Sequence, residues 1–482
     1  MHYSPERRTA IVLCGTGAHG AYHAGVLRAL HEAGVKLDVV AGHGIGAGAA
    51  ALAAIDGTAR LWESDGIWQP PRVGTLYTWK PFLRLSAIFA LVVAVLLSVP
   101  LLVLALGLIV YPIGFLITLV GLSAGPALTA AYSGWLESVF SPEQLPTIVP
   151  RLVMLALVVL GLSVGGGTLA SRWRARTRRR SAGGWWWELV GAPLDASGAH
   201  RAFLDAIWRL IRGAATATQP ETRAVGRRYS EVLADGLGQP GFRELIVVAT
   251  DLDARRDVVV AMLKEPFRAA FLAPRPGRDR RAEVVDLAGV GREHGLEIVA
   301  AALTPPVGFD PALVTFGPDS YWRGETHRLC DRSSCVRLVD EVDTAGVRQV
   351  IFVTAVPPSA GPHRLSAPRL DNRHRLGDYL VAMESIALEQ AMTSALAKFE
   401  GVYFISPPHN AMGPFDFDGV YDEASDRRQT VSELMDSGYS DAYRQFIEPI
   451  VGASGEQLGR EPRRDTMEYR RPNTDGSLKP GP

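Results

Sequence analysis

The sequence has 482 residues, enough for two or three domains, and its 50 Lys and Arg residues balance its 50 Asp and Glu residues. A net charge of zero gives no general attraction to nucleic acid, so we expect no nucleic-acid partner. A composition with 47% hydrophobic and 21% charged residues excludes disorder for most of the chain.

The cysteines indicate a reducing compartment rather than a disulfide framework. Their number is odd, and no second Cys or His pair lies near Cys330 and Cys335. We therefore expect reduced thiols, no metal site and no cofactor. The residues up to Arg8 are polar, and the apolar run after them is too short for a signal peptide. This predicts an N-terminus that stays in the cytoplasm.

The N-terminal region has the alternation of a parallel α/β fold. The residues Ala10–Cys14 predict a short buried strand, and apolar residues at helical spacing predict a helix over 21–33. A second strand is predicted at 37–41, and a second helix of small residues at 47–55. A glycine-rich turn joins each strand to the helix that follows it. This repeated unit predicts an α/β fold with a parallel sheet.

An apolar region then follows that is too long for a core helix. No charged residue occurs between Arg84 and Glu137, and a second apolar run covers 152–170. A helix that crosses a membrane needs only about 20 apolar residues. We therefore predict a helical transmembrane insertion, with possible spans at 85–110, 112–131 and 150–170.

The charges around the insertion predict that both of its ends lie on the cytoplasmic side. Lys80 and Arg84 precede it, six arginines within 172–180 follow it, and the connection inside it has no Lys or Arg before Arg151. Two ends on one side require an even number of crossings. One span, expected to be the Pro- and Gly-interrupted 112–131, would then be re-entrant. The chain is thus predicted to be an integral membrane protein with a cytoplasmic soluble domain.

After the insertion, the sequence again has the mixture of polar and apolar residues that is typical of a soluble domain. Strands are predicted at 244–250, 349–356 and 402–405, and amphipathic helices at 202–211 and 375–399. We expect residues 1–75 and 190–452 to form two parts of one domain around the insertion 80–180, followed by a disordered tail at 453–482. The two parts should reunite, because the first has too few strands for a parallel sheet buried on both faces.

The two glycine turns resemble those of the patatin-like phospholipase family. In that family a G-G-G-x-[RK]-G loop supplies the amides of the oxyanion hole, and a G-x-S-x-G elbow carries the nucleophile. The segments in these places are Gly15-Thr16-Gly17-Ala18-His19-Gly20 and Gly42-His43-Gly44-Ile45-Gly46. Later segments that also resemble the family are Ala249–Asp253, Ala301–Val307, Asp416–Asp418 and Ser437–Tyr439. The resemblance implies a parallel-sheet sandwich with helices on both faces, and serine acyl-hydrolase activity on lipid acyl esters.

Both catalytic side chains implied by the resemblance are missing from their expected positions. The nucleophile position holds Gly44, which has no side chain to attack an ester. The aspartate of the family's D-G-[GA] motif aligns with Arg323, which cannot act as a base. His19 also replaces the expected Arg or Lys of the first loop. These departures predict a catalytically impaired protein.

Other residues leave alternatives open. Ser123 and Ser163 each lie in a G-x-S-x-G match inside an apolar run, where small residues are common at contacts between membrane helices. Asp418, followed by Gly419, offers a second candidate for the D-G aspartate. The histidines His19, His23 and His43 could together bind zinc, or His43 could serve as a nucleophile or base.

The sequence supports three hypotheses of different classes. The first is an inactive membrane protein that binds a membrane lipid or acyl ester, using the amides of Gly15–Gly20. The second is an active lipid acyl hydrolase that uses residues not assigned above. The third is a membrane scaffold that binds a protein partner, for example through the helix predicted at 375–399. The sequence does not identify that partner.

Overall fold

The structure is a computed structural model. It describes residues 3–139, 141, 149–174, 192–273, 282–318, 320, 322–332, 334–357, 372–422 and 425–452. The tail at 453–482 and the arginines from 176 to 180 lie outside these residues, so the predictions for them stay predictions, as do the proposed domain boundaries.

A nine-stranded sheet forms the centre of the fold. Its strands are β1 (Thr9–Cys14), β2 (Val39–Gly42), β5 (Glu244–Asp251), β6 (Arg256–Met262), β7 (Ala282–Asp286), β8 (Ala312–Thr315), β9 (Thr326–Cys330), β10 (Gln349–Thr354) and β11 (Gly401–Ile405). Two short pairs lie outside it, β3 (Thr78–Trp79) with β4 (Leu194–Asp195) and β12 (Val420–Asp422) with β13 (Arg427–Gln429). The main path runs β11-β10-β1-β2-β5-β6-β7.

The sheet is mostly parallel, as the sequence predicted. The strands from β11 to β5 along this path pair in parallel, whereas β6 is antiparallel to β5 and parallel to β7. Alternate residues of β1 enter different cores: Ile11 and Leu13 enter one, and Val12 enters the other. The sheet is therefore buried on both faces, which explains why its parallel strands are continuous apolar runs.

Helices cover both faces of the sheet. These helices are α1 (Gly20–Glu32), α2 (Ile45–Ala54), α3 (Ala59–Trp62), α7 (Ser197–Arg212), α8 (Thr222–Gly236), α9 (Phe267–Leu272), α10 (Gly295–Ala302), α11 (Val336–Thr344), α12 (Asn372–Lys398) and α13 (Val431–Ala442), which continues into a π-helical segment, Tyr443–Gly452. The helices of the insertion, α4 (Pro81–Leu119), α5 (Ala124–Val139) and α6 (Val149–Arg174), contribute none of their described side chains to either core. The larger core holds side chains of α1, α2, α7, α8, α10 and α13. The smaller core holds those of α9, α11 and α12.

The helix α4 is continuous over 39 residues, which corrects the predicted division into spans 85–110 and 112–131. The chain turns at Gly121, where φ is +81°, and not at Pro112. A proline within an apolar helix removes one hydrogen bond, whereas a break would leave several backbone groups unpaired. Within the described parts of the chain, α4 is the one helix long and apolar enough to cross a membrane.

The other two helices of the insertion pack on different halves of α4. Ser86, near the start of α4, contacts Ser163 of α6 through hydroxyl oxygens 2.7 Å apart. Tyr132 of α5 donates a hydrogen bond of 2.7 Å to the carbonyl of Val103, further along α4. The two ends of the insertion meet beside the sheet domain, where β3 pairs with β4.

A buried ion pair ties the part of the domain before the insertion to the part after it. Arg8 donates to both carboxylate oxygens of Glu244 at 2.7 and 2.6 Å, and its guanidinium lies 3.7 Å from the ring centre of Phe267. Glu244 also accepts from the backbone N–H of Lys264. Residue 8 precedes β1 and residue 244 begins β5, so the contact spans the insertion.

We expect Glu244→Ala to lower the free energy of unfolding by about 3–5 kcal/mol, because it leaves the Arg8 guanidinium buried without a partner. Denaturant unfolding of the full chain in mild detergent, followed by circular dichroism, measures this change. Glu231→Ala is the matched control, since Glu231 pairs only with half-exposed arginines on α8 in the described structure and should change the value by less than about 1 kcal/mol. Equal losses in the two variants would contradict the prediction.

Candidate active site

The two glycine turns lie side by side at one edge of the sheet. β1 and β2 pair in parallel, with Leu13 opposite Gly42, so Gly15 and His43 emerge at the same end. β10 ends beside them, because Cys14 is opposite Thr354. The carboxyl ends of parallel strands are where ligand sites form in open α/β sheets. The structure therefore brings the two predicted loops together.

The turn at Gly44 has the backbone shape of a nucleophile elbow. Gly44 has φ +56° and ψ −134°, and α2 begins at the next residue. Such left-handed geometry is strained for any residue with a side chain, and it characterises the sharp strand-to-helix turn that exposes a nucleophile. The turn is also tight, since a Cβ on Gly46 would lie 2.2 Å from the carbonyl oxygen of Leu13.

The carbonyl oxygen of Gly15 closes this elbow. It accepts a hydrogen bond of 2.9 Å from the backbone N–H of Ile45. A Cβ on Gly44 would lie only 2.3 Å from the same oxygen. The amide after the nucleophile is normally one donor of the oxyanion hole. In this protein that amide is satisfied internally, and the space for a side chain at residue 44 is filled.

The backbone N–H groups of the last three residues of the first glycine loop also have hydrogen-bond acceptors within the protein. The backbone N–H of Ala18 donates to the carbonyl of Pro414 at 2.7 Å. A Cβ on Gly17, where φ is +58°, would lie 1.9 Å from that carbonyl oxygen. The N–H of His19 donates to the carbonyl of Thr16, and the N–H of Gly20 donates to the carbonyls of Gly17 and Ala18. The predicted use of Gly15–Gly20 as oxyanion donors thus finds no support in these contacts.

Asp331 is a buried carboxylate beside the elbow. Its Oδ1 lies 3.4 Å from Nδ1 of His43, and its Oδ2 accepts from the hydroxyl of Thr16 at 3.4 Å. The same Oδ2 is 3.0 Å from the point that a Cβ on Gly44 would occupy. The backbone N–H of Asp331 donates to the carbonyl of Thr304 at 2.8 Å, which fixes the residue. This is the place a dyad aspartate would take.

The structure corrects the predicted aspartate position at Arg323. Arg323 lies exposed in the turn between β8 and β9, with φ +44°. Gly324, Glu325 and the five residues of β9 separate it from Asp331, and the strand alone has a length of about 16 Å. Asp418, the second candidate, is also exposed. Sequence reasoning missed Asp331 because an arginine, Arg332, follows it and not the glycine of the family motif. The available signal for Asp331 was that a polar residue directly follows the apolar end of a strand.

Besides Asp331, the buried ionisable groups in and around the loop include His19, His23, His43 and Glu384. Burial opposes charge on His43, but the hydrogen bond and charge of Asp331 outweigh this and raise the pKa of His43. Burial lowers the pKa of His19 to about 4 and that of His23 to about 3. Burial raises the pKa of Glu384, on α12, to about 7. At neutral pH the two uncharged histidines and the partly protonated Glu384 limit the number of charges that the interior must hold.

Several polar atoms of these groups have no hydrogen-bond partner within the described ranges: Nδ1 of His19, Nδ1 of His23, Nε2 of His43 and Oε1 of Glu384. Nδ1 of His19 and Oε1 of Glu384 each lie 3.5 Å from the point of a Cβ on Gly15. The part of the chain that the structure describes contains no group of three ligands placed to hold a metal ion. The zinc site considered for the three histidines is therefore not formed by them.

The two serines inside the insertion have the environment of helix contacts. Ser163 contacts Ser86 and the carbonyl of Leu160. Ser123 is exposed in the turn between α4 and α5. Among the residues placed by the structure, no His, Asp or Glu side chain forms a hydrogen bond with either hydroxyl. Neither serine is thus activated by a neighbouring base.

Comparison with known proteins confirms the resemblance predicted from the glycine turns. A family model described as patatin-like phospholipase matches residues 11–102, which include both turns. No curated protein matches the sequence. Among solved structures, the crystal structure of VipD from Legionella pneumophila matches with 11% identity and a TM-score of 0.32, over 93% of this chain and 67% of that one.

We expect Glu384 to make the stability depend on pH. Because its pKa is raised from 4.5 to about 7, its protonated form favours the folded state, and this contribution is lost as the pH rises from about 4.5 to 7. The loss is on the order of 3 kcal/mol. Glu384→Gln should therefore become more stable than the wild type by this amount between pH 5 and pH 8.

Denaturant unfolding at several pH values checks this difference. Glu389→Gln, which alters an exposed position of the same helix, is the matched control and should follow the wild-type profile. Parallel pH profiles for wild type and Glu384→Gln would show that the carboxyl ionises in the folded state as it does in the unfolded chain.

Proposed function

We propose that this chain is a membrane-anchored protein of patatin-like type that binds lipid acyl chains and does not hydrolyse esters at its elbow. The observation that carries the proposal is the contact at Gly44. The position that presents a nucleophile has no side chain, and the Gly15 carbonyl occupies the space where one would start. A hydroxyl or thiol is needed there to form an acyl-enzyme.

The remaining parts of the site do not compensate for the missing nucleophile. Asp331 keeps the position of an acid–base carboxylate and pairs with His43. A base alone could activate water only if a carbonyl substrate reached it and found oxyanion donors. The amides of Ala18 and Ile45 already donate to backbone carbonyls, and the residues around them are buried. We infer that the elbow now serves the packing of the fold.

Three features support anchoring in a membrane. The helix α4 is long and apolar enough to cross a bilayer. Many of its large apolar side chains face outward, with Leu108 79% exposed and Leu119 72% exposed. Such a surface is unfavourable in water over this length. The pairing of β3 with β4 places both ends of the insertion together, which supports an even number of crossings and a soluble domain on one side.

We expect the purified full chain to resist covalent labelling by a fluorophosphonate probe, and to show no hydrolysis of phospholipid vesicles or short-chain esters above a no-protein blank. The physical reason is the absence of an activated serine at the elbow and in the insertion. In-gel detection of the probe, with an active serine hydrolase as positive control, measures this. Labelling that disappears in Ser163→Ala would overturn the proposal and favour the alternative of an active hydrolase.

We expect Gly44→Ser not to restore hydrolysis and to destabilise the protein by about 2–5 kcal/mol, since a left-handed φ and a close contact both penalise the new side chain. Thermal unfolding and the ester assays measure the two effects. Gly74→Ser is the matched control, because no atom lies within 4 Å of a Cβ at that position. A Gly44→Ser variant that hydrolyses esters would show that the elbow lacks only its hydroxyl.

A further inference from the structure

A second candidate ligand site lies away from the elbow. A cavity of about 390 Å³ is formed between α7, α10 and β8. Most of its wall is apolar and includes Phe203, Leu204, Leu296, Val299, Leu313 and Val314. Its volume falls in the range of about 300–1,000 Å³ that is usual for small-molecule sites. His43, Gly44 and Asp331 do not line it.

The histidine in the cavity wall is uncharged at neutral pH. Nε2 of His200 lies 2.9 Å from the hydroxyl of Thr304, which itself donates to the carbonyl of Ala300 at 3.1 Å. The hydroxyl therefore accepts from Nε2–H of His200. Burial lowers the pKa of His200 to about 4, so the ring stays neutral. This part of the cavity wall consequently presents apolar carbon and a satisfied hydrogen bond.

The carboxylates in the cavity wall are paired with cations. Asp310 lies 2.5 Å from Nζ of Lys80, and Glu297 accepts from Arg223 at 3.0 Å. Each of the two carboxylates that line the cavity therefore has a cationic partner, so neither is an unpaired anionic site for a cationic ligand. Together with the apolar wall, this pairing favours an uncharged, elongated hydrocarbon ligand over a polar metabolite.

The cavity lies at the base of the insertion. Lys80, which pairs with Asp310, immediately precedes α4. Leu194, at the other end of the insertion, donates its N–H to the carbonyl of Gly308 at 3.1 Å. Two apolar side chains next to this segment face solvent, Val307 at 81% and Leu313 at 56% exposure. If α4 enters a bilayer, the cavity mouth is therefore held close to the lipid surface.

We propose that this cavity binds a single acyl chain, taken either from a bilayer phospholipid or from a free fatty acid. The inference rests on the membrane anchoring proposed above, because α4 brings the cavity mouth to the lipid. The apolar wall buries the chain, and the paired carboxylates leave its passage free of unpaired charge. The closed elbow and the open cavity then have separate roles, the first structural and the second in binding.

Photo-crosslinking of the full chain in lipid nanodiscs tests the proposal. One arm uses a fatty acid with a diazirine in its chain, and the other uses a phosphatidylcholine with the same diazirine-labelled chain. We expect crosslinks on peptides that contain Leu204, Leu296 or Leu313. Ala300→Trp, which fills the cavity, should reduce them by about tenfold or more. Ala224→Trp, at an exposed position on α8, should leave them unchanged.

A second variant tests the cavity independently, so that the result does not depend on the folding of Ala300→Trp. Leu313→Lys changes a side chain that is 56% exposed, so the fold tolerates it, and it places a charge at the cavity mouth. We expect it to weaken crosslinking as well. Labelling in the fatty-acid arm alone identifies a free acid as ligand, and labelling in the phospholipid arm identifies a bilayer lipid. Crosslinks confined to α4–α6, or equal in wild type and both cavity variants, would overturn the inference.

Alkaline carbonate extraction separates failure of this inference from failure of the anchoring proposal. A chain that stays in the membrane pellet but shows no cavity crosslinks refutes the acyl-chain site and leaves anchoring intact. A chain that carbonate releases refutes anchoring. Cavity labelling by the free fatty acid in that released protein would still support the site itself.

Discussion

The hydrogen bond from Ile45 N–H to the Gly15 carbonyl determines what this site can do. It joins the two glycine turns, which the parallel pairing of β1 and β2 already holds side by side. A carbonyl can come this close only because residue 44 has no Cβ. The bond in turn satisfies an amide that burial would otherwise leave unpaired. A side chain at residue 44 would therefore have to displace the Gly15 carbonyl and break this hydrogen bond.

Parts of the fold with local signals could be predicted from the sequence. The strands β1, β2, β5, β10 and β11 are continuous apolar runs, and the first two end in glycine turns. The pairing of β9 with β5 depends on a contact between distant segments, which periodicity does not show. Asp331 was missed for this reason. The position of Asp331 beside the elbow follows from where β9 ends in space, whereas the family's D-G motif requires a following glycine and residue 332 is an arginine.

The insertion shows a different limit of sequence reasoning. Its composition correctly indicated long apolar helices, but the effect of Pro112 was misjudged because the surroundings decide whether a proline breaks a helix. In the structure, α5 lies along the second half of α4, and Tyr132 donates to a carbonyl of that half. The buried groups near the elbow were likewise visible in the sequence only as scattered residues. Their protonation follows from burial and from the single pair between His43 and Asp331.

The pairing of β3 with β4 makes the insertion modular. Trp79 and Leu194 stand directly opposite each other in an antiparallel ladder, so their Cα atoms are about 5 Å apart. A hairpin turn of two residues is long enough to connect them. The insertion therefore leaves and re-enters the sheet domain at adjacent points. Chains accept insertion or excision at such a junction with little strain. A water-soluble form of the domain, closed at this junction, would be a natural starting point for crystallisation.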